Sequence, residues 1–386
     1  MRRNRIIFGI LWVLSLICIS FYGGTISYGF FFALTLLPVV SYLYLLCVLI
    51  RFSIYQEVES REMICRQAMP YYFVIQNEDY FVYASVIIRL FSGLSFVEEV
   101  PDGIEYELTS HDRYTYRTRM VCKYRGEYEI GVKEVLLTDF FHMFSLRYKI
   151  PGTIKAIVHP RVLQLQELKS ISNLNIQMAK ENPYGKTELD VVVRDYIPRD
   201  EMRYIHWKAT AKEQTLKTRL QTGEEKQGIV MLCDTKRYSK NEYTYLPLEN
   251  QILECLLSLA LYFSKQNTPV SVYYGKNLQM QLHGVKDFQS FYETASAISF
   301  CEDLQVEELC AQTLTHSALL HSKVVCLILH EMNEKVSAYI QQLIMLGLLV
   351  EVYLITDEDV SKTIEQSNSR VGFVHVPIEA DLEGIL

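Results

Sequence analysis

The chain contains no C-x-x-C pair, and its nine cysteines are odd in number and scattered from Cys18 to Cys326. That spread argues against a disulfide framework. Several lie in apolar runs, as in Met231-Leu232-Cys233 and Val325-Cys326-Leu327. Reduced, buried thiols of a cytosolic compartment have this pattern, because cysteine then serves as a small hydrophobe. Positive charge is not in excess either: 38 Lys and Arg stand against 45 Asp and Glu, a net charge of −7. A nucleic-acid partner is therefore not expected. The phosphate loops G-x-x-x-x-G-K-S/T and G-x-G-x-x-G, the metalloprotease helix H-E-x-x-H and the nucleophile elbow G-x-S-x-G are all missing, which lowers the expectation of an enzyme.

Charge is also absent from two long N-terminal runs. Ile6 to Tyr22 spans about 17 residues and Tyr28 to Ile50 about 23, each within the range that crosses a hydrocarbon layer. Only Gly23-Gly24-Thr25-Ile26-Ser27 separates them. Backbone polar groups in lipid need internal partners, so both runs should be helical. Arg2, Arg3 and Arg5 precede the first and Arg51 follows the second, whereas the connecting turn has no Lys or Arg. The positive-inside rule then places both ends in the cytoplasm, with the chain in the cell membrane as a two-span hairpin. Neither run carries an ionisable residue of the kind that marks a transport path, so a tether is expected. A signal peptide fits less well, since no small-residue cleavage site precedes Gly23 and a second run follows at once.

What is present beyond Arg51 divides into two patterns. From about residue 52 to 165, short runs rich in β-branched and aromatic residues alternate with turns. Examples are Tyr72–Ile75, Tyr83–Ile88, Thr115–Val121 and Glu127–Ile130, broken by Pro101-Asp102-Gly103 and Arg125-Gly126. Five to eight antiparallel strands of this kind suggest a β-sandwich-like domain. A polar connector with some helical tendency, including the turn Glu181-Asn182-Pro183-Tyr184-Gly185, opens the segment 166–227. After Gly228, near-continuous apolar strands alternate with amphipathic helices: strands at 228–234, 270–274, 324–329, 350–355 and 371–376, helices at 248–265, 288–298 and 334–346. This is the grammar of a doubly wound α/β domain with a mostly parallel sheet over 228–386, whose ligand edge lies at the strand carboxyl ends.

The densest cluster of polar and aromatic residues runs from Val193 to Lys212: V-R-D-Y-I-P-R-D-E-M-R-Y-I-H-W-K-A-T-A-K. Here the sequence resembles the bacterial family called domain of unknown function 58, whose hallmark reads R/E-x-Y-x-P-G-D-x-x-R-x-I-H/D-W-K. Arg194, Tyr196, Pro198, Asp200, Arg203, Ile205, His206, Trp207 and Lys208 match it, while Arg199 replaces the glycine of the turn. Arg125-Gly126-Glu127-Tyr128-Glu129-Ile130-Gly131 and Val158-His159-Pro160-Arg161 resemble further phrases of that family. The resemblance implies a von Willebrand factor A-like C-terminal domain and an association with a MoxR-type AAA+ ATPase, in the assembly or maturation of envelope-associated complexes.

Von Willebrand A domains often chelate Mg²⁺ through D-x-S-x-S after the first strand, where a hard cation finds carboxylate and hydroxyl oxygens. The corresponding residues here are Asp234-Thr235-Lys236-Arg237-Tyr238. Lys236 and Tyr238 stand where the serines would be, so no cofactor is expected. Asp234 is then a cap for the following segment, or a partner of Lys236 or Arg237. In the hallmark, His206 invites a role as general base, but nothing around it marks a nucleophile. Tyr196 and Trp207 should supply buried surface, and Lys208 and Lys212 fall at i and i+4 of a short helix. Arg194, Arg199, Arg203, Lys208 and Lys212 could alternatively present a basic face to an acidic partner or to anionic lipid, or simply be solvated. The expected function is a non-catalytic, membrane-anchored adaptor. Its rivals are a hydrolase using His206 with Asp195 or Asp200, and a metal-dependent ligand binder at Asp234.

Overall fold

A computed structural model describes residues 2–168, 191–196, 205–221, 228–276, 278–319, 321–358 and 370–386. The chain forms two compact units, Met1–Arg161 and Val162–Leu386.

The first unit opens with helices α1 (Arg2–Tyr22) and α2 (Thr25–Arg51), both long and apolar enough to cross a membrane. Gly23 and Gly24 make the reversal between them in left-handed backbone, which only glycine adopts freely. Eleven strands follow: β1 (Ser53–Val58), β2 (Glu62–Ile64), β3 (Ala68–Gln76), β4 (Tyr83–Leu90), β5 (Ser95–Val97), β6 (Ile104–Leu108), β7 (Arg113–Cys122), β8 (Gly126–Ile130), β9 (Val132–Thr138), β10 (Ser145–Lys149) and β11 (Ile154–His159). They build two four-stranded antiparallel sheets, ordered β1-β3-β7-β5 and β10-β9-β4-β6, and a three-stranded sheet β2-β11-β8. Alternation sends Tyr71, Phe73 and Ile75 of β3 and Val86 and Ile88 of β4 into one shared core, which Tyr83 joins across an irregularity in β4. Gly131 joins β8 to β9 at φ +86°. A Cβ there would meet Gln56 Oε1 at 2.5 Å, and that oxygen already accepts the Tyr71 hydroxyl and the Val132 N–H, each at 2.9 Å.

The same core takes in Leu45, Val48 and Phe52. The last part of α2 is thus a strut inside the β-rich unit, packed along β9 and β10. Reading Tyr28 to Ile50 as one membrane run misses this, because hydropathy alone does not distinguish lipid from a protein core.

The second unit begins with Val162, Leu163, Leu165 and Leu168, which pack into its core. A two-stranded antiparallel ribbon, β12 (Val191–Asp195) with β13 (Lys217–Gln221), brackets the short helix α3 (Trp207–Glu213). The 166–188 connector falls almost wholly outside the described residues. The remaining elements are β14 (Gly228–Cys233), α4 (Glu242–Lys265), β15 (Val270–Tyr274), β16 (Leu278–Leu282), α5 (Val285–Ser296), α6 (Val306–Thr315), β17 (Ser322–Leu329), α7 (Glu334–Met345), β18 (Leu349–Ile355) and β19 (Val371–Val376).

They form a mixed six-stranded sheet, β16-β15-β14-β17-β18-β19, parallel except for the antiparallel edge strand β16. Alternate residues of β14 serve opposite faces. Ile229, Met231 and Cys233 join the core under α4 and α5, whereas Val230 and Leu232 join the core under α6 and α7. Burial on both faces explains the unbroken apolar runs of the central strands. The chain leaves β14 toward β15 on one side and later returns to β17 on the other. The carboxyl end of β14 is therefore the point where the strand order reverses, and Asp234 stands there.

Candidate functional site

Asp234 is almost fully buried, and its N–H donates to the Ile328 carbonyl at 2.9 Å. Its side chain is engaged on both oxygens. Oδ1 accepts the Lys236 N–H at 2.9 Å, so the residue caps the turn that follows. Oδ2 accepts the Tyr238 hydroxyl at 2.7 Å and, at 3.5 Å, the His330 N–H from the end of β17. Burial pushes the carboxyl above the usual range, with these hydrogen bonds opposing the shift. Tyr238, caught between burial and the acid it serves, is held strongly in its protonated form.

The surrounding loop is tied down residue by residue. Thr235 Oγ1 accepts the Gly275 N–H at 3.0 Å, and Arg237 N–H and the Thr235 carbonyl both bond to the Cys301 backbone. The Arg237 guanidinium grips buried Glu249 through two bonds of 2.7 and 3.2 Å while lying over the Tyr245 ring. Lys236 turns its ammonium over the Tyr238 ring, 4.8 Å from the centroid. The Tyr238 ring meets that of His330 edge-on at 4.6 Å, and His330 Nδ1 donates to the Ile355 carbonyl at 2.6 Å. A carbonyl only accepts, so a ring proton sits on Nδ1 in that bond. Chemically, this edge of the sheet holds an acid hydrogen-bonded to a phenol, with an imidazole packed edge-on against the phenol ring. Among the described residues, no group of three or more His, Cys, Asp and Glu is placed to hold a metal ion.

Sequence reading found Asp234 and its cap of the following segment, but not Tyr238 or His330. Tyr238 carries the signal, since it occupies a position where the cation-binding motif has serine, and its hydroxyl reaches the same carboxylate. His330 is invisible from spacing because adjacent parallel strands bring it across 96 residues.

The hallmark segment is only partly described: Pro198, Asp200 and Arg203 lie outside the described residues, as does Arg199. Arg194 pairs with Thr218 in the β12–β13 register. His206 is the N-cap of α3, its Nδ1 accepting the Ala209 N–H at 3.1 Å. An Nδ1 that accepts leaves the proton of the neutral ring on Nε2. Thr210 Oγ1 accepts the Lys217 N–H at 3.0 Å, and the Lys217 ammonium bridges Asp195 and Glu213, both at 2.8 Å.

Trp207 contradicts the expectation of burial. It is 68% exposed, because it is the first residue of a seven-residue helix in which no residue is buried. Tyr196 is half-buried, and Lys208 and Lys212 are exposed on α3, one turn apart.

No protein-family model matches the chain, and no curated protein matches it. Among solved structures, the chain aligns with a GH20 exo-β-N-acetylglucosaminidase from Vibrio harveyi in complex with N-acetylglucosamine, and with an inactive mutant of that enzyme. Both alignments cover 85% of this chain and 78% of the other, at 8% identity and a TM-score of 0.19. A score of that size reflects no common architecture, and nothing about this chain follows from it.

Proposed function

We propose that the chain is a membrane-anchored, non-catalytic protein-interaction module, with α1 and α2 as a two-span hairpin and both soluble units on the cytoplasmic side. In this reading the second unit is a von Willebrand A-like domain of the kind the hallmark resemblance implies. Its partner is a MoxR-type AAA+ ATPase, in the assembly or maturation of envelope-associated complexes. Support for the anchor comes from the outward-facing Ile6, Ile10, Leu14 and Ile17 of α1, which would otherwise stand in water, and from the flanking arginines.

The observation that carries the non-catalytic reading is how the two candidate chemical groups are used. The Asp234 carboxylate is consumed by a backbone N–H and a phenol, and the His206 Nδ1 by a helix cap. A general base needs a free lone pair within reach of its proton, and a cation site needs free carboxylate oxygens. The strand order, with its reversal at Asp234, supports the fold assignment.

Crosslinking in native membranes followed by capture of the full chain tests the partner. Recovery of a AAA+ ATPase is the expected result. Its absence, with the chain itself recovered intact, removes the partner assignment. A turnover that disappears in His206→Ala without loss of fold would replace the adaptor with the hydrolase.

A further inference from the structure

The hairpin does not end where the β-rich unit begins. Ser41 Oγ donates to Asp139 Oδ2 at 2.6 Å, a bond between two buried groups 98 residues apart. Asp139 also gathers its own loop, accepting the Phe144 N–H at 2.7 Å and the Phe141 N–H at 3.3 Å. From the other helix, Asn4 Nδ2 donates to the Phe141 carbonyl at 2.9 Å and Arg5 Nε to the Met143 carbonyl at 2.6 Å. Loop 139–144 is thus fastened at one level to the start of α1 and to the middle of α2.

Beyond that level one face of α2 packs into the protein. Leu45 and Val48 are core residues, Tyr44 donates to the Val82 carbonyl, and Asp79 shares a hollow with Leu43 and Cys47 while pairing with Arg51. An ionised aspartate at that depth excludes hydrocarbon. Thr25 to Ser41 spans about 25 Å at 1.5 Å per residue, and Ile6 to Tyr22 is equally long. Both match the shortest helices that cross a bilayer.

On the outer side of the same level, Phe140 and Phe141 are 54% and 51% exposed. With Ala33, Leu36, Leu37 and Val40 they line an open hollow of about 410 Å³, continuous with the apolar outer surface of α2. Arg2 and Arg3 are exposed at the neighbouring end of α1.

We infer that loop 139–144 is a second membrane contact: Phe140 and Phe141 sit in the leaflet next to the arginines, and a lipid acyl chain fills the hollow between them and α2. The bilayer boundary then crosses α2 at Ser41 and leaves Leu45 to Arg51 outside the hydrocarbon. This rests on the anchored reading above. The occupant is a bilayer lipid because the hollow opens on the face that already meets acyl chains, and because the adjacent arginines suit a phosphate headgroup.

The test uses the full chain in phosphatidylcholine–phosphatidylglycerol vesicles, with acyl chains either plain or brominated at mid-chain. One variant carries Trp12 alone, through Trp207→Phe. A second adds Phe141→Trp to Trp12→Phe and Trp207→Phe. Bromine should quench both, Trp12 the more strongly because it lies about two turns deeper along α1. An unquenched Trp12 overturns the anchor itself. A quenched Trp12 with an unquenched Phe141→Trp overturns the loop contact alone. In the unsubstituted chain, a membrane-impermeant maleimide present on both sides should modify Cys47 and the exposed Cys301 but spare Cys18, as peptide mapping reads out. Protection of Cys47 in these vesicles and its modification only after detergent would move the boundary to Arg51 and refute the placement at Ser41.

Discussion

Leu45→Ala separates a leucine that serves a protein core from one that serves a membrane. Leu45 is fully buried in the shared core of the β-rich unit, with Tyr83, Val86 and Leu137 in the same cluster. Truncating a leucine in such a core removes its transfer free energy and leaves a cavity, at a cost of about 2–5 kcal/mol. Leu36, about two and a half turns earlier on α2, is 62% exposed. If lipid covers it, Leu36→Ala exchanges one apolar contact for another and should cost roughly 0.5 kcal/mol or less. For a unit of this size each kcal/mol lowers the melting temperature by about 2–4 °C, so Leu45→Ala should melt roughly 5–15 °C below the parent and Leu36→Ala within about 2 °C of it. The assay is thermal unfolding of the full chain in vesicles, followed by near-ultraviolet circular dichroism of the many tyrosines in the β sheets. Equal, small shifts for both variants would mean that Leu45 is not in the core, and the strut would have to be abandoned.

Asp234 supplies a second expectation. Its carboxyl is raised, so its contribution to stability is complete below the ordinary carboxylate value and fades as pH rises through the raised one. Asp234→Asn should therefore flatten the decline in stability as pH rises above about 4, measured by urea unfolding; an unchanged profile would refute the shift. Tyr238→Phe strips Oδ2 of its short hydrogen bond and should destabilise by about 1–3 kcal/mol at neutral pH, an effect that Asp234→Asn in the same chain should reduce. His206→Ala removes the cap of α3 and should cost that helix about 1 kcal/mol, seen as faster amide exchange over 207–213 and recovered by His206→Asn. Exchange unaffected by the alanine would mean that the imidazole is not capping.

Much of this architecture is legible in the residues. The strands at Tyr83–Ile88, Val270–Tyr274 and Val371–Val376 could be read because β-branched and aromatic side chains alternate or run unbroken there. Less legible was β16, where Leu278-Gln279-Met280-Gln281-Leu282 alternates properly but follows β15 through a tight turn and so hides inside one apparent element. Helix α6 was missed because Gln305 caps it without a side-chain bond and its apolar face is short. At the site, the acid after the first α/β strand stood out, yet what occupies it did not. The partners come from one residue inside the loop and one on a neighbouring strand, a distinction that only strand order makes. Trp207 differs for the opposite reason: size argues for burial, but a two-turn helix on a two-stranded ribbon has little to bury it against.

The strut also sets an order of events. A chain grows from its N-terminus, so α2 is made before any strand that packs on it, and Leu45, Val48 and Phe52 must wait for β3, β4 and β9. The β-rich unit therefore cannot complete its interior without the last turns of α2. A fragment that starts at Ser53 would lack three side chains of its own centre and would carry the corresponding trough, lined by residues such as Tyr83 and Val86, open to solvent. Folding of the first unit is thereby tied to a helix made before any of its strands.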